Sequence, residues 1–160
     1  MDWIVLMATG LGATAFMDVV AWGKARLTGI FGLDYALVGR WIGHWGHGKF
    51  AHASIMTSAR IQGEKPLGWG AHYLIGAGFA LCLGLIVGIE VALVPSVWLH
   101  VGFGIATVAM PFLIMMPCFG FGFFASRTPT PPLARVRSLF AHFSYGIGHY
   151  VAVALAAYIL

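Results

Sequence analysis

Two histidines lie within long apolar segments of the chain, and each belongs to the same short pattern. His72 falls in residues 71–78 and His142 in residues 141–148, which share the form Ala-His-aromatic-x-x-Gly-x-Gly. An imidazole can carry a proton, ligate a metal ion or haem, or hydrogen-bond to a neighbouring helix. Because an ionisable group inside an apolar segment is costly, both histidines are candidate functional residues.

Four further residues complete the candidate site. Asp18 lies near the end of the first apolar segment, at a depth similar to that of the two histidines, and we interpret it as the group that holds a proton or cation. The histidines would act as ligands or relays, Arg127 as an anion clamp, and His52 and Glu64 would join from the preceding loop. The structural alternative is that the two histidines only bond helix or loop carbonyls.

Two other histidines also fall in apolar segments. His149 follows His142 by seven residues, so it shares that helix face at greater depth. It either extends a polar line inward or makes a single interhelical hydrogen bond. His100 lies near the outer end of the third segment, where we expect it at the membrane interface.

The elements that must position these residues are transmembrane helices. Of the 160 residues, 60% are hydrophobic and only 9% are charged, and the mean hydropathy is +0.88. A soluble domain has about 25% charged residues, so this chain is an integral membrane protein. Four segments have roughly the ~20 residues that cross a bilayer; they lie at about 3–22, 67–91, 95–125 and 139–160.

The basic residues set the predicted orientation. All nine Lys and Arg residues fall in two loops, 23–66 and 126–138. Such loops stay in the cytoplasm, which places both termini on the periplasmic side of a bacterial inner membrane. Their charge suits anionic lipid headgroups, and the sequence contains no nucleic-acid-binding module. Within the first loop, Asp34 is predicted to cap an amphipathic helix that lies at the interface.

The fold predicted from these features is all-α, a single transmembrane domain over residues 1–160. Because the second and fourth spans share the histidine pattern, and the first and third match loosely, we expect two tandem helical hairpins. Hairpins of equal orientation form a parallel internal repeat whose pseudo-two-fold axis follows the membrane normal.

Function is the least determined property of the sequence. No nucleophile elbow, phosphate-binding loop, dinucleotide fingerprint or zinc-protease motif is present, which favours a non-enzymatic role. The favoured function is binding or passage of a small ligand, proton or ion at the polar cluster near the cytoplasmic face. The alternatives are an accessory subunit of a larger membrane complex or homo-oligomer, and a haem protein or metal site with His72 and His142 as ligands.

Several stretches resemble an uncharacterised bacterial membrane-protein family, the domain-of-unknown-function family 2938. The similar segments are residues 34–44, Asp-Tyr-Ala-Leu-Val-Gly-Arg-Trp-Ile-Gly-His, and residues 125–131, Ala-Ser-Arg-Thr-Pro-Thr-Pro, with residues 63–73 between them. The resemblance covers essentially the whole chain. It implies a small multi-span membrane protein and supplies no catalytic residue.

Overall fold

The computed structural model describes residues 1–159, and this part of the chain is helical with no β-strand. The last residue of the predicted fourth span, Leu160, lies outside the described residues. The elements in chain order are α1 (Asp2–Thr28), α2 (Tyr35–Trp45), α3 (Glu64–Val87), α4 (Ile89–Ala92), α5 (Val97–Ala106), a π-helix (Pro111–Met115), α6 (Met116–Cys118), a 3-10 helix (Phe123–Ala125) and α7 (Pro131–Ile159).

The predicted all-α class is confirmed, as are four long apolar helical segments. Segments long and apolar enough to cross a membrane run over Asp2–Thr28, Glu64–Val87, Val97–Cys118 and Pro131–Ile159. Their bounds differ from the predicted spans where local signals decide the helix ends. The first continues to Thr28 because its stop is Gly29, whose positive φ of 69° ends the helix while its N–H bonds the Ala25 carbonyl.

The third segment is interrupted where the sequence places a proline. Regular α-helix ends at Ala106, and a π-helix begins at Pro111, which has no backbone N–H to donate. The N–H of Met116 bonds the Pro111 carbonyl, a spacing of five residues that defines the wider turn. The third segment therefore consists of several short helical pieces.

The contacts divide the chain into two compact units. Unit 1 comprises residues 1–32, 73–107 and those from 139 onward, and it contains α1, α4, α5 and most of α3 and α7. Unit 2 comprises residues 33–72 and 108–138, and it contains α2, the first turns of α3 and α7, and the short helices between residues 111 and 125.

In unit 1 the long helices cross at glycines. A Cβ on Gly10 would lie 2.7 Å from the Gly76 carbonyl oxygen, and one on Gly104 would lie 2.6 Å from Gly146 Cα. These distances leave no room for a side chain, so α1 meets α3 and α5 meets α7 backbone to backbone. A fully buried apolar cluster adjoins these crossings and consists of Leu6, Ala80, Leu83 and Ala92.

Unit 2 is organised by a buried ion pair between α2 and the start of α3. Arg40 Nε and Nη2 each donate to a different oxygen of Glu64 at 2.8 Å, and Arg40 Nη1 donates to the Ile55 carbonyl at 3.0 Å. The hydrogen bonds to Glu64 outweigh burial and raise the pKa of Arg40 above its ordinary value. Loss of one partner from such a buried pair costs about 3–5 kcal/mol, so this fork fixes the loop against the two helices.

The same two helices touch at a pair of glycines. A Cβ on Gly39 would overlap the Glu64 carbonyl, and a Cβ on Gly68 would overlap the carbonyl oxygen of Tyr35. The close approach brings Arg40 within reach of Glu64. The glycines at this crossing are therefore required by contact rather than by backbone conformation.

The crossing makes a direct prediction about stability. Gly68→Ala should lower the free energy of unfolding by about 1–3 kcal/mol, because the added methyl group forces the helices apart. Gly70→Ala is the matched control, since nothing lies within 4 Å of its Cβ position. Replacing this exposed helical glycine should leave stability unchanged or raise it by about 0.5–1 kcal/mol. Thermal unfolding of both full-length variants in the same detergent measures the difference, and equal midpoints would contradict the close crossing.

Candidate functional site

Three buried polar side chains of unit 1 form one hydrogen-bonded line. Thr9 Oγ1 on α1 lies 3.2 Å from Nε2 of His149 on α7, and Nδ1 of His149 lies 3.0 Å from Nδ1 of His100 on α5. Nε2 of His100 lies 3.1 Å from the Val94 carbonyl oxygen. His100 is 0% exposed, His149 1% and Thr9 4%. Three helices thus contribute one polar chain inside an apolar bundle.

This line contains the two histidines of the apolar segments that were not assigned to the candidate site, His100 and His149. His149 contacts two other helices, so the single interhelical hydrogen bond, which the sequence favoured over a polar line, is not what the structure shows. The side chain of His100 is fully buried in unit 1. We expected it at the membrane interface, and that expectation did not include this burial. The seven-residue spacing of His142 and His149 was the available signal, whereas no local pattern marks Thr9.

His142 belongs to unit 1 and bonds a second threonine. Thr107 Oγ1 lies 2.7 Å from His142 Nδ1 and 2.6 Å from the Gly104 carbonyl oxygen. Thr9 has the same arrangement, with its hydroxyl 2.7 Å from the carbonyl of Leu6, three residues earlier. In both cases a threonine that back-bonds its own helix also meets a histidine of α7.

Asp18 also lies in unit 1, where it interacts with the hydroxyl of Tyr73. Both side chains are half-buried. One helical turn after Tyr73, the Gly76 carbonyl oxygen accepts a hydrogen bond of 2.6 Å from the buried hydroxyl of Tyr145. Unit 1 therefore holds the Asp18 carboxylate, three histidines and the hydroxyls of Tyr73 and Tyr145 along helices that are otherwise mostly apolar.

The other four predicted site residues belong to unit 2. His72 stacks on Tyr35 with ring centroids 3.9 Å apart, an aromatic contact between α2 and α3. Arg127 is exposed, and its backbone N–H bonds the Phe121 carbonyl at 2.8 Å. Glu64 uses both carboxylate oxygens for Arg40, which gives it a structural task that the sequence did not reveal.

His52, the fourth, is buried and holds the loop of unit 2. Its Nδ1 lies 2.9 Å from the Ser58 hydroxyl, its Nε2 lies 3.4 Å from His44, and its backbone N–H bonds the Cys118 carbonyl at 2.8 Å. Burial, followed by the nearby Lys49 and His44, lowers the pKa of His52 from its ordinary 6.5. The folded loop therefore favours the neutral imidazole.

No group of three or more His, Cys, Asp or Glu side chains within residues 1–159 converges in a way that could hold a metal ion. The chemistry that unit 1 offers through its described contacts is hydrogen bonding and proton exchange between imidazole, hydroxyl and carboxylate groups.

The pKa of His52 predicts how the loop responds to acid. The unfolded chain binds a proton at His52 near pH 6.5, whereas the folded loop does so only at lower pH. The neutral ring thus contributes stability above pH 6.5, and this contribution is lost as the pH falls below that value. Hydrogen exchange at the Ile55 amide, corrected for intrinsic rates, should accelerate on acidification. The acceleration should disappear in His52→Gln and persist in His47→Gln, whose ring is exposed; equal behaviour of the two variants would contradict it.

Comparison with known proteins agrees with the resemblance of the loop segments. The family model described as "Protein of unknown function (DUF2938)" matches residues 7–156. No curated protein and no solved structure matches the chain. Because the family model covers nearly the whole chain, including most or all of each long apolar segment, the chain belongs to the DUF2938 family.

Proposed function

We propose that this protein lies in the bacterial inner membrane and passes protons along the polar side chains of unit 1. The sequence left a small ligand, a proton or an ion as alternatives for the polar cluster, and we choose the proton. The observation that carries the proposal is the buried line from Thr9 through His149 and His100 to the Val94 carbonyl. Ionisable groups within transmembrane helices are typical of proton relays.

The order of polar groups along the helices supports a path. With the basic loops in the cytoplasm, Asp18, Tyr73 and His142 lie in the cytoplasmic half of their helices, and Thr107, which contacts His142, directly follows the end of α5. His149 follows His142 by seven residues, or ~10.5 Å along α7 at ~1.5 Å per residue. His100 continues the line to the Val94 carbonyl, beyond the N-terminal end of α5. Groups able to exchange a proton thus occur at successive depths.

The exposed surface fits the proposed lipid partner. Large apolar side chains on the long helices are exposed, among them Val19, Leu74, Leu85 and Ile86. Such side chains are suited to lipid tails. In the predicted cytoplasmic loops, Lys49, Arg60 and Lys65 are exposed, in contrast to the buried Arg40, and suit anionic headgroups. Helix α2 would then lie at the cytoplasmic interface.

The proposed architecture includes two tandem hairpins. Gly76 and Gly146 occupy the same place in the repeated histidine pattern. Each is the glycine at which its helix meets the other helix of its predicted hairpin, Gly76 against Gly10 and Gly146 against Gly104. Crossings at the same position of the repeated pattern in α3 and α7 support a parallel repeat.

The membrane topology can be tested first. Reporter fusions after the final residue and within residues 127–137 should report a periplasmic C-terminus and a cytoplasmic second loop, because Lys and Arg bias retains loops inside. A fusion in residues 23–66 should also report the cytoplasm. A cytoplasmic signal from the C-terminal fusion would refute the orientation and reverse the proposed path.

Proton passage can be measured in proteoliposomes with an internal pH indicator and a potassium diffusion potential. The parent protein should acidify or alkalinise the lumen faster than protein-free liposomes do. Asp18→Asn should return the rate to that of protein-free liposomes, since the amide keeps the shape and cannot exchange a proton with its neighbours. Asp2→Asn, at the exposed start of the same helix, is the matched control and should retain the parent rate. If the folded parent protein gives no proton flux above that of protein-free liposomes, the proposed function is wrong.

A further inference from the structure

The line of Thr9, His149 and His100 has a fixed order of donors and acceptors. The Val94 carbonyl oxygen only accepts hydrogen bonds, so Nε2 of His100, 3.1 Å away, carries a hydrogen. A neutral imidazole has one N–H, which leaves Nδ1 of His100 as an acceptor. Nδ1 of His149, 3.0 Å from it, is therefore the donor. Nε2 of neutral His149 is left with a lone pair that faces the Thr9 hydroxyl.

Thr9 can satisfy its neighbours in two ways. Its Oγ1 lies 3.2 Å from His149 Nε2 and 2.7 Å from the Leu6 carbonyl oxygen, but a hydroxyl has only one hydrogen. With that hydrogen directed at His149, the three side chains form a complete neutral network. With the hydrogen directed at Leu6, the hydroxyl oxygen becomes an acceptor, and His149 Nε2 must carry a hydrogen of its own.

We propose that Thr9, His149 and His100 form a binding site for one proton, which His149 takes up at Nε2 while the Thr9 hydroxyl turns from His149 to the Leu6 carbonyl. The proton comes from hydronium in water, no bond between heavy atoms changes, and the site gains one positive charge. A second proton does not fit, because it would place N–H groups on both facing Nδ1 atoms. This inference rests on the proposed function for its ligand and concerns uptake rather than passage.

The surroundings make the uptake reversible. The titratable side chains beside His149 are His100 on α5 and Tyr145 on α7, whose ring centroid is 6.0 Å away; α1 contributes the neutral Thr9, and α3 meets Tyr145 at the Gly76 carbonyl. Within residues 1–159, the electrostatic interaction found for the His149 ring comes from His100, and none with a carboxylate is found for either ring. Hydrogen bonds alone hold the charged ring, and because a charge in an apolar interior is costly, the proton is released again.

The tautomers give a direct test. Full-length protein with nitrogen-15-labelled histidine in lipid nanodiscs should show His100 protonated at Nε2 and His149 at Nδ1 under alkaline conditions. On acidification His149 alone of the two should become doubly protonated. Neutral His149 protonated at Nε2, charging of His100 before His149, or charging of both rings would overturn the site.

Thr9 variants test the hydroxyl. Thr9→Val keeps the shape and removes the acceptor for the charged ring, so the proton affinity of His149 should fall by about tenfold or more. Thr9→Ser keeps the hydroxyl and should stay within roughly twofold of the parent. Equal affinities in the two variants would overturn the proposed role of the hydroxyl. If His149 becomes protonated but no proton flux is measured, the proposed function is wrong and the proton-binding site stands. If flux is measured but His149 does not become protonated, only the proton-binding site is wrong.

Discussion

Polar groups buried in this protein need partners inside it, and this constraint governs both compact units. With 9% charged residues and long apolar helices, there are few such groups, and each buried one carries a large cost if it is left unmet. In unit 2 the Arg40 guanidinium meets Glu64 and the Ile55 carbonyl. In unit 1 His100 meets His149 and the Val94 carbonyl. The helices take positions that make these contacts.

The two units meet this constraint with different chemistry. Unit 2 uses a permanent charge pair whose forked geometry fixes one arrangement of α2, α3 and the loop. Unit 1 uses neutral imidazoles and hydroxyls, which can be either donors or acceptors. The first solution gives a rigid connection, and the second gives a network that can hold different numbers of hydrogens. Threonines that bond their own helix, Thr9 and Thr107, provide this choice at two places along α7.

The sequence predicted the features that depend on local pattern. Hydropathy gave the helical class and four long apolar segments, and the loop motifs gave the family. It placed Asp18 and His142 among the candidates because a polar residue in an apolar run is conspicuous. It did not predict the partner of His149, because which residue of another helix faces it depends on helix rotation and crossing. In the sequence, nothing distinguished Arg40 from the other basic residues of its loop. Its burial and its ion pair with Glu64 depend on the folded structure.

The π-helix at residues 111–115 has a consequence for the length of related chains. A wide turn of this kind accommodates one residue more than an α-helical turn and absorbs it locally. A homologue lacking one residue there can form an ordinary turn and leave the helical segments on either side in phase. We therefore expect single-residue gaps in family alignments to fall within this stretch, and to be absent from α7, where a lost residue would rotate His149 away from the side of the helix that it shares with His142.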